Sequence, residues 1–273
     1  MLALDITNFS PDKDGQLGPD ALEFFNEQGY LAFPGFIPPD KAEKLKAETD
    51  AFEKKRGENR GGFLATSWEG LAGLATWDPL MGVLDQVMGP KFSMHHYHVA
   101  IHEAGNGGVR WHQDYEQHPQ TNRSHTMVHA FFYLDGLNGT IGDLMFVPGS
   151  HKSVASRGAM SMFGYELLPG TKIVDDVPPG TMILVHSALW HARRPQPGGE
   201  GRPRYFLDIS YCQEGVKWPL NKTWINGTQE ALDAGWFSSG RKEVLERSMF
   251  YDVAEVHERC SNLKGSLALE VSA

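Results

Sequence analysis

Three residues of this chain could do chemistry together: His112, Asp114 and the distant His191. Two imidazoles and one carboxylate form the ligand set of a non-haem Fe(II) site that keeps coordination positions open. Side chains two residues apart in a strand point to the same face, so His112 and Asp114 can reach one metal from a single extended segment while Gln113 points away. The third ligand must then come from elsewhere in the chain.

The elements that must position this third ligand lie some 70 residues further on, at about residues 181–191. An apolar run at 181–185 predicts a strand that leads to His186 and His191. Five positions along a strand place these two histidines on opposite faces, so at most one of them is a regular ligand. We favour His191 and interpret His186 as a structural or supporting group. A second predicted strand opens at Arg204, and a cation beside such a metal suits a bound 2-oxoacid that takes part in O2 activation.

The periodicity of the chain predicts helices near both ends and strands between them. Helical patterns cover residues 19–28, 41–55 and 71–88, and further helices are expected at 229–234 and 241–247. Short runs rich in Val, Ile, Phe and Tyr alternate with Gly, Pro and Asn from residue 92 onward, as is typical of strands. The predicted strands cover residues 92–102, 109–114, 125–134, 143–147, 173–174, 181–186 and 205–211. This pattern favours an all-β core with flanking helices: a double-stranded β-helix (jelly roll, cupin-like) with the N-terminal helices packed on one sheet.

Composition and charge restrict the classes of partner. The chain has 273 residues and a formal net charge of −9, which disfavours attraction to nucleic acid or to an anionic membrane. No apolar run approaches the ~18 residues of a membrane span, the N-terminus does not resemble a signal peptide, and Cys212 and Cys260 are in no metal-binding spacing. We expect a cytoplasmic protein with one domain over residues 1–273, a loose leader at 1–18 and a helical C-terminal extension at 216–273.

Four segments, in this order, resemble those of the phytanoyl-CoA dioxygenase family, a branch of the Fe(II)/2-oxoglutarate-dependent oxygenases. They are Phe25-Asn-Glu-Gln-Gly-Tyr30, Trp111-His-Gln-Asp114, Gly142-Asp-Leu-Met-Phe-Val-Pro-Gly-Ser-His-Lys152, and His186 to His191 followed by Pro203-Arg204. The likeness spans roughly residues 22–211. The ordered set carries the resemblance, because an isolated His-x-Asp pattern is common.

The resemblance implies a catalytic iron held by His112, Asp114 and His191. It also implies that Arg204 pairs with the distal carboxylate of 2-oxoglutarate, whose other end chelates the iron and leaves one position for O2. A planar guanidinium suits this task because it grips a carboxylate through two parallel charge-assisted hydrogen bonds. Arg202 competes for the role, since the arginine lies about two residues further from the distal histidine here than in the family. We prefer Arg204 because it abuts the predicted strand.

Further residues are placed near the cosubstrate by the same resemblance. His102 sits near a position where some family members have a cation that helps to hold the cosubstrate. Phe131 belongs to a strand face that the resemblance turns into the barrel, so we expect it to wall the 2-oxoglutarate pocket. Arg193 and Arg194 are interpreted as surface charges that could also flank the mouth of the site and favour an anionic substrate.

The resulting prediction is an Fe(II)- and 2-oxoglutarate-dependent dioxygenase. It would hydroxylate, desaturate or cyclise an unactivated C–H of a small or medium metabolite, with release of succinate and CO2. In related iron halogenases a small residue replaces the carboxylate ligand, so Asp114 favours hydroxylation-type chemistry over chlorination. Two alternatives stay open: a jelly-roll metal protein with non-oxygenase chemistry, and a non-catalytic module that binds 2-oxoglutarate. No nucleic-acid or membrane partner is expected, and the sequence leaves the substrate and the oligomeric state open.

Overall fold

Most helices of the computed structural model lie before or after a β-rich core in the chain. The structure describes residues 9–58, 65–103, 105, 107–114, 125–139, 144–153, 160–195, 203–215, 217–219, 225–238, 240–245, 247–252, 257–258 and 261. The α-helices are α1 (Pro19–Gln28), α2 (Pro39–Glu58), α3 (Glu69–Leu74), α4 (Asp78–Met88) and α5 (Ile225–Ala234). Short 3-10 helices cover Ala65–Ser67, Ser150–Lys152, Lys242–Leu245 and Arg247–Met249. Within these ranges, no helix is both long enough and apolar enough to cross a membrane.

The strands form two main antiparallel sheets and two short pairs. They are β1 (Tyr30–Phe33), β2 (Phe92–His102), β3 (Val109–His112), β4 (Met127–Tyr133), β5 (Leu137–Asn138), β6 (Leu144–Phe146), β7 (Lys172–Val174), β8 (Asp176–Val177), β9 (Thr181–His186), β10 (His191–Arg193), β11 (Arg204–Gln213), β12 (Trp218–Pro219) and β13 (Phe250–Tyr251). The larger sheet has the order β1-β9-β4-β11-β2, and the smaller sheet has the order β3-β10-β6-β7. From β2 to β11 the chain crosses repeatedly between the two main sheets, which is the jelly-roll architecture expected from the sequence.

Alternate residues of β4 face opposite ways and separate two apolar layers. Val128, Ala130 and Phe132 join the core that α1 to α4 form against the outer face of the larger sheet. Phe131 and Tyr133 face inward and pack with apolar residues of β6 and β9. Because both of its faces are covered, all seven residues of β4 are buried. The N-terminal helices therefore cover one sheet, as predicted, and leave the space between the sheets for the site.

Three predicted elements differ from the observed ones. Where a helix was expected at 241–247, the structure has the short 3-10 helices Lys242–Leu245 and Arg247–Met249. The single helix expected over 71–88 is two helices, α3 and α4, and Pro79 lies in the first turn of α4. Proline fits the first turn of a helix but breaks a helix interior, so Pro79 is the reason for the division. His186 ends β9 in the larger sheet, whereas His191 begins β10 in the smaller sheet. The two histidines are therefore on different strands, and not on the one strand that the sequence suggested.

The segment Pro148 to Lys152 ties the smaller sheet to α1. Gly149 N–H donates to the Gln28 carbonyl oxygen at 2.9 Å, and Lys152 Nζ lies 2.6 Å from Glu27 Oε2. Gly29 ends α1 with φ of 83°, and a Cβ at this position would collide with the ring of His151. Glycine is required at this junction because both the left-handed backbone and the close approach exclude a side chain.

Candidate metal centre and adjoining cavity

The first end of the site is made by β3 and β10, which are neighbours in the smaller sheet. His191 is the register partner of His112, and Asp114 follows two residues after His112. Donor atoms of the three side chains lie within 4.8 Å of one another. Asp114 Oδ1 is 3.3 Å from His112 Nε2, and Asp114 Oδ2 is 3.2 Å from His191 Nε2. The structure thus brings the three residues predicted from the sequence to one point.

Both imidazoles are oriented by the backbone. The Nδ1 atom of His112 lies 2.8 Å from the Arg110 carbonyl oxygen, and that of His191 lies 2.9 Å from the Leu189 carbonyl oxygen. A carbonyl oxygen only accepts, so Nδ1 carries a hydrogen in each ring, and Nε2 is the ring nitrogen that faces Asp114. This is the tautomer of a metal-binding histidine whose second nitrogen is held by a carbonyl group.

Residues around the three donors hold the two strands in register. Gln113 is buried, and its Nε2 donates to the Ala188 carbonyl oxygen at 2.6 Å. Trp190 N–H donates to Ser150 Oγ at 2.9 Å, which attaches the residue before His191 to the Pro-Gly-Ser turn. Gln113 and Ser150 therefore act on the geometry of the donors through the turn that precedes β10.

A second polar group lies behind Asp114. His129 of β4 places Nδ1 2.8 Å from Asp208 Oδ1 and Nε2 3.6 Å from Asp114 Oδ2. Burial alone would lower the pKa of His129, but the carboxylates of Asp208 and Asp114 outweigh burial and raise it to about 9. Burial likewise would raise the pKa of Asp114, but the imidazoles of His191, His129 and His112 hold it well below its usual range. Asp114 is therefore a carboxylate at neutral pH.

The other end of the cavity is built around Arg204 at the start of β11. Arg204 is 3% exposed, and its Nε and Nη2 atoms donate to His102 Nδ1 at 3.2 and 2.8 Å. Burial, followed by the charges of Arg204 and Arg193, lowers the pKa of His102 to about 3. Burial is also the main reason that the pKa of Arg204 falls to about 10. His102 is consequently a neutral acceptor that orients Arg204, and not a cation.

A cavity of about 220 Å³ connects the two ends. His112, Asp114 and His191 line one part of it, and His102 and Arg204 line another. Aromatic rings form the wall between them: Phe131 has its ring centroid 5.9 Å from that of His191, and Phe206 lies 5.2 Å beneath the guanidinium of Arg204. Phe131 therefore lines the cavity between the two ends, and its place beside 2-oxoglutarate stays a prediction.

Two predicted features have a different outcome. Arg202, the competitor of Arg204, lies outside the described residues. Arg193, interpreted as a surface charge, is half-buried and lines the cavity. Strand alternation could have indicated this position, because Arg193 lies two residues after His191 and shares its face. His186 lies away from the metal donors, where its Nδ1 accepts a hydrogen bond from Ala188 N–H at 3.1 Å.

Comparisons with known sequences identify a family and relatives. The family model for phytanoyl-CoA dioxygenase (PhyH) matches residues 59–202. A protein of Stutzerimonas stutzeri named "Probable alpha-ketoglutarate-dependent hypophosphite dioxygenase" is 26% identical in an alignment 224 residues long, and the match covers 73% of this chain and 73% of that protein. The ectoine dioxygenase of Halomonas elongata is 26% identical over 159 residues, covering 52% of this chain and 48% of that protein. The chain thus spans about half the length of the second relative.

Comparisons with solved structures agree with the fold. HygX from Streptomyces hygroscopicus, crystallised with nickel and 2-oxoglutarate, has a TM-score of 0.61 at 18% identity, covering 74% of this chain and 88% of its own. The non-heme alpha ketoglutarate dependent carbocyclase SnoK has a TM-score of 0.58 at 16% identity, covering 74% of this chain and 87% of its own. At these identities the likeness concerns the fold alone. Since the family model covers more than half of the 273 residues, this chain belongs to the phytanoyl-CoA dioxygenase family.

Proposed function

We propose that this protein is an Fe(II)- and 2-oxoglutarate-dependent dioxygenase that acts on a small or medium metabolite. The reaction is hydroxylation of an unactivated C–H, or the related desaturation or ring closure, with release of succinate and CO2. The observation that carries the proposal is the convergence of His112, Asp114 and His191 in the same cavity as the buried Arg204. The names of the curated relatives and the ligands of the structural neighbours support the choice of metal and cosubstrate.

The three converging side chains fit a ferrous ion. Both Nε2 atoms present lone pairs, because the Nδ1 hydrogens are used by carbonyl groups, and Asp114 supplies an anionic oxygen. Two imidazoles and one carboxylate are the donor set of non-haem Fe(II) oxygenases with open positions. The bound ion and cosubstrate supply the O2 activation that no amino-acid side chain provides. The residues' own part is to hold these groups and to exclude water.

Arg204 is the residue that we assign to the distal carboxylate of 2-oxoglutarate. Its guanidinium is almost fully buried and is held by His102, so it is oriented before any ligand enters. A charge-assisted hydrogen bond is stronger in such a desolvated position than in water. Phe131 and Phe206 cover the path between Arg204 and the metal donors with apolar surface. These rings exclude water from the cosubstrate, so that one of its carboxylates binds at the metal end and the other at the arginine end.

Arg193 adds a second cation to the same cavity. Its Nη2 atom donates to the Gly107 carbonyl oxygen at 2.6 Å, which fixes the side chain beside the cavity. Its charge contributes to the lowered pKa of both Arg204 and His102, so it acts on the arginine end. Two guanidinium groups at one end favour a cosubstrate that carries a carboxylate there over a 2-oxoacid that has no distal carboxylate.

Chlorination is the reaction type that we exclude from the proposal. In this chain Asp114 provides a carboxylate at the position where a halogenase has a small residue. The carboxylate occupies the coordination position that a chloride would need. The expected products are therefore hydroxylated, desaturated or cyclised, and carry no halogen.

Succinate formation by the purified protein tests the proposal. Protein loaded anaerobically with Fe(II) is given 2-oxoglutarate, O2 and a panel of metabolites, and succinate is measured with each component left out in turn. We expect succinate only with Fe(II), 2-oxoglutarate and O2 together, and none from His112→Ala. Tight 2-oxoglutarate binding without succinate across the panel would instead support a non-catalytic module. Activity that needs another metal and no 2-oxoglutarate would support the non-oxygenase alternative.

A further inference from the structure

His129 lies between two carboxylates on the inner face of β4. Its Nδ1 atom is 2.8 Å from Asp208 Oδ1, within hydrogen-bond distance, and its Nε2 atom is 3.6 Å from Asp114 Oδ2. His129 is 5% exposed and Asp208 is 8% exposed, so their hydrogen bond is shielded from solvent. A second imidazole, that of His96 on β2, lies 3.9 Å from Asp208 Oδ2. The result is a polar row that leads from the larger sheet to one of the proposed metal donors.

The Nε2 atom of His129 is buried, and no hydrogen bond to it is found among the described residues. A buried polar atom without a partner is unfavourable and usually has a structural or functional reason. Here the neighbouring group is the Asp114 oxygen, which lies just beyond hydrogen-bond distance. A shift of a few tenths of an ångström by the Asp114 carboxylate would complete this contact.

The strand register explains why His129 cannot easily turn away. β4 pairs with β9 on one side and with β11 on the other, and Asp208 of β11 is the register partner of Phe131, the next residue on the same face as His129. The Asp208 carboxylate therefore reaches His129 across the two strands and fixes the rotation of its ring. With Nδ1 held by Asp208, Nε2 can only point toward Asp114.

We propose that His129, oriented by Asp208, is a positioning residue that holds the second oxygen of Asp114, so that Asp114 binds the metal through the other oxygen. This inference rests on the proposed metal site. A hydrogen bond from Nε2 turns one Asp114 oxygen toward His129 and so disfavours chelation through both oxygens, which would keep coordination positions open for the cosubstrate and O2. Groups that support metal ligands in this way typically change metal affinity or activity by about 10- to 100-fold when they are replaced.

Anaerobic titration of the apoprotein with Mn(II), followed by the paramagnetic resonance of the free ion, measures the positioning role without any turnover. We expect His129→Ala to weaken Mn(II) binding by about 10- to 100-fold. His129→Gln should restore most of the affinity, because its amide N–H can replace Nε2 as a donor to Asp114. Asp208→Ala should resemble His129→Ala, and Asp208→Asn should lie closer to the wild type because its amide oxygen still accepts from Nδ1.

His98→Ala is the matched control. It removes an imidazole from the same wall, one that stacks on His96 and contacts Phe206, and it should change Mn(II) affinity by less than about twofold. Thermal unfolding of each apoprotein establishes that the variants are folded. A second readout is the charge-transfer absorption that 2-oxoglutarate produces on chelating Fe(II). This band should be shifted in His129→Ala and returned to the wild-type position in His129→Gln.

The results separate this inference from the proposed function. If His129→Ala binds Mn(II) like the wild type while His112→Ala does not, the positioning role is wrong and the metal site stands. If His129→Gln is as weak as His129→Ala although both are folded, packing and not a hydrogen bond explains the loss, and the inference is overturned. If the wild type binds Mn(II) and His129→Ala does so weakly, but no succinate forms from any metabolite, the positioning role stands and the oxygenase proposal fails.

Discussion

The two ends of the cavity are built in different ways. At the metal end, the donors come from neighbouring strands of the smaller sheet, and the side chains of His112 and Asp114 are each 25% exposed. At the arginine end, Arg204 is 3% exposed and is held by His102 against the ring of Phe206. The metal end therefore presents donor atoms whose arrangement is completed only when a metal ion binds. The arginine end, in contrast, is already assembled before a ligand binds. Substitutions at the two ends should accordingly affect different binding steps.

The largest effect is expected at the metal end. Asp114→Ala removes the anionic donor and leaves the imidazoles of His112 and His191 without the charge that attracts a divalent cation. We expect Mn(II) affinity and succinate formation to fall by more than about 100-fold, beyond the range typical of groups that only support ligands. Metal titration and succinate assays measure the two effects. A variant that keeps wild-type metal affinity would show that the ion is held elsewhere.

The next effect belongs to the arginine end and should leave metal affinity unchanged. Arg204→Gln removes a buried cation, and loss of one partner of a buried charge pair costs about 2–5 kcal/mol, so 2-oxoglutarate affinity should fall at least about 30-fold. Calorimetric titration of the Mn(II)-loaded protein measures this affinity. An equal loss of Mn(II) affinity would mean that the two ends are not separable, or that the fold is damaged.

A cosubstrate analogue without the distal carboxylate sharpens the assignment of Arg193. Arg193 is half-buried, so its contribution is smaller, and Arg193→Gln should lower 2-oxoglutarate affinity by roughly tenfold, or about 1.4 kcal/mol. 2-Oxopentanoate has the same chain length without the distal carboxylate, and its affinity should be almost insensitive to the substitution. Arg194→Gln, on the neighbouring position of the chain, is the control of equal charge. An equal loss for both 2-oxoacids would place Arg193 outside the distal-carboxylate pocket.

The pH dependence of stability probes the same end of the cavity. The pKa of His102 is about 3 in the folded protein, whereas an unfolded histidine titrates near 6.5. Between these values only the unfolded chain binds the proton. Stability is therefore complete above about pH 6.5 and falls toward pH 3 by up to about 1.4 kcal/mol per pH unit. His102→Gln keeps a neutral acceptor and should flatten this acid limb, as denaturant unfolding at several pH values can measure. An unchanged slope would contradict the buried neutral state.

The smallest effect is expected from Lys152, at the end of the Pro-Gly-Ser-His-Lys segment that was prominent in the sequence. Lys152 pairs with Glu27 at the surface and has a side chain that is 48% exposed. Exposed ion pairs add little to stability, so Lys152→Gln should leave the unfolding temperature and the 2-oxoglutarate affinity unchanged within error. A loss of cosubstrate affinity would show that Lys152 acts on the site.

The parts of the site that could be predicted are those carried by short spacing. His112 and Asp114 share a strand face, and the long strands at 92–102 and 181–186 follow from continuous β-type patterns. Pro79 could also have predicted the division between α3 and α4, although the helical pattern over residues 71–88 suggested a single helix. Strand spacing and proline act on the local backbone, and local geometry is the property that a single sequence predicts best.

The remaining features depend on contacts between distant strands. Asp208 reaches His129 only because β11 pairs with β4, and this pairing does not follow from the spacing of residues along the chain. The spacing of Arg193 from His191 could be read from the sequence, but the start of a separate short strand at His191 could not. His102 illustrates the same point, since its neutral state results from burial beside Arg204 and not from its own position in the sequence.

The central claim is that His112, Asp114 and His191 hold one metal ion beside a 2-oxoacid. Anomalous diffraction at the iron edge, from crystals grown anaerobically with Fe(II) and 2-oxoglutarate, tests it most directly. We expect one iron peak bonded to Nε2 of His112, Nε2 of His191 and one oxygen of Asp114, with the distal carboxylate of the cosubstrate on Arg204. An iron peak bonded to other side chains, or cosubstrate density away from Arg204, would contradict it.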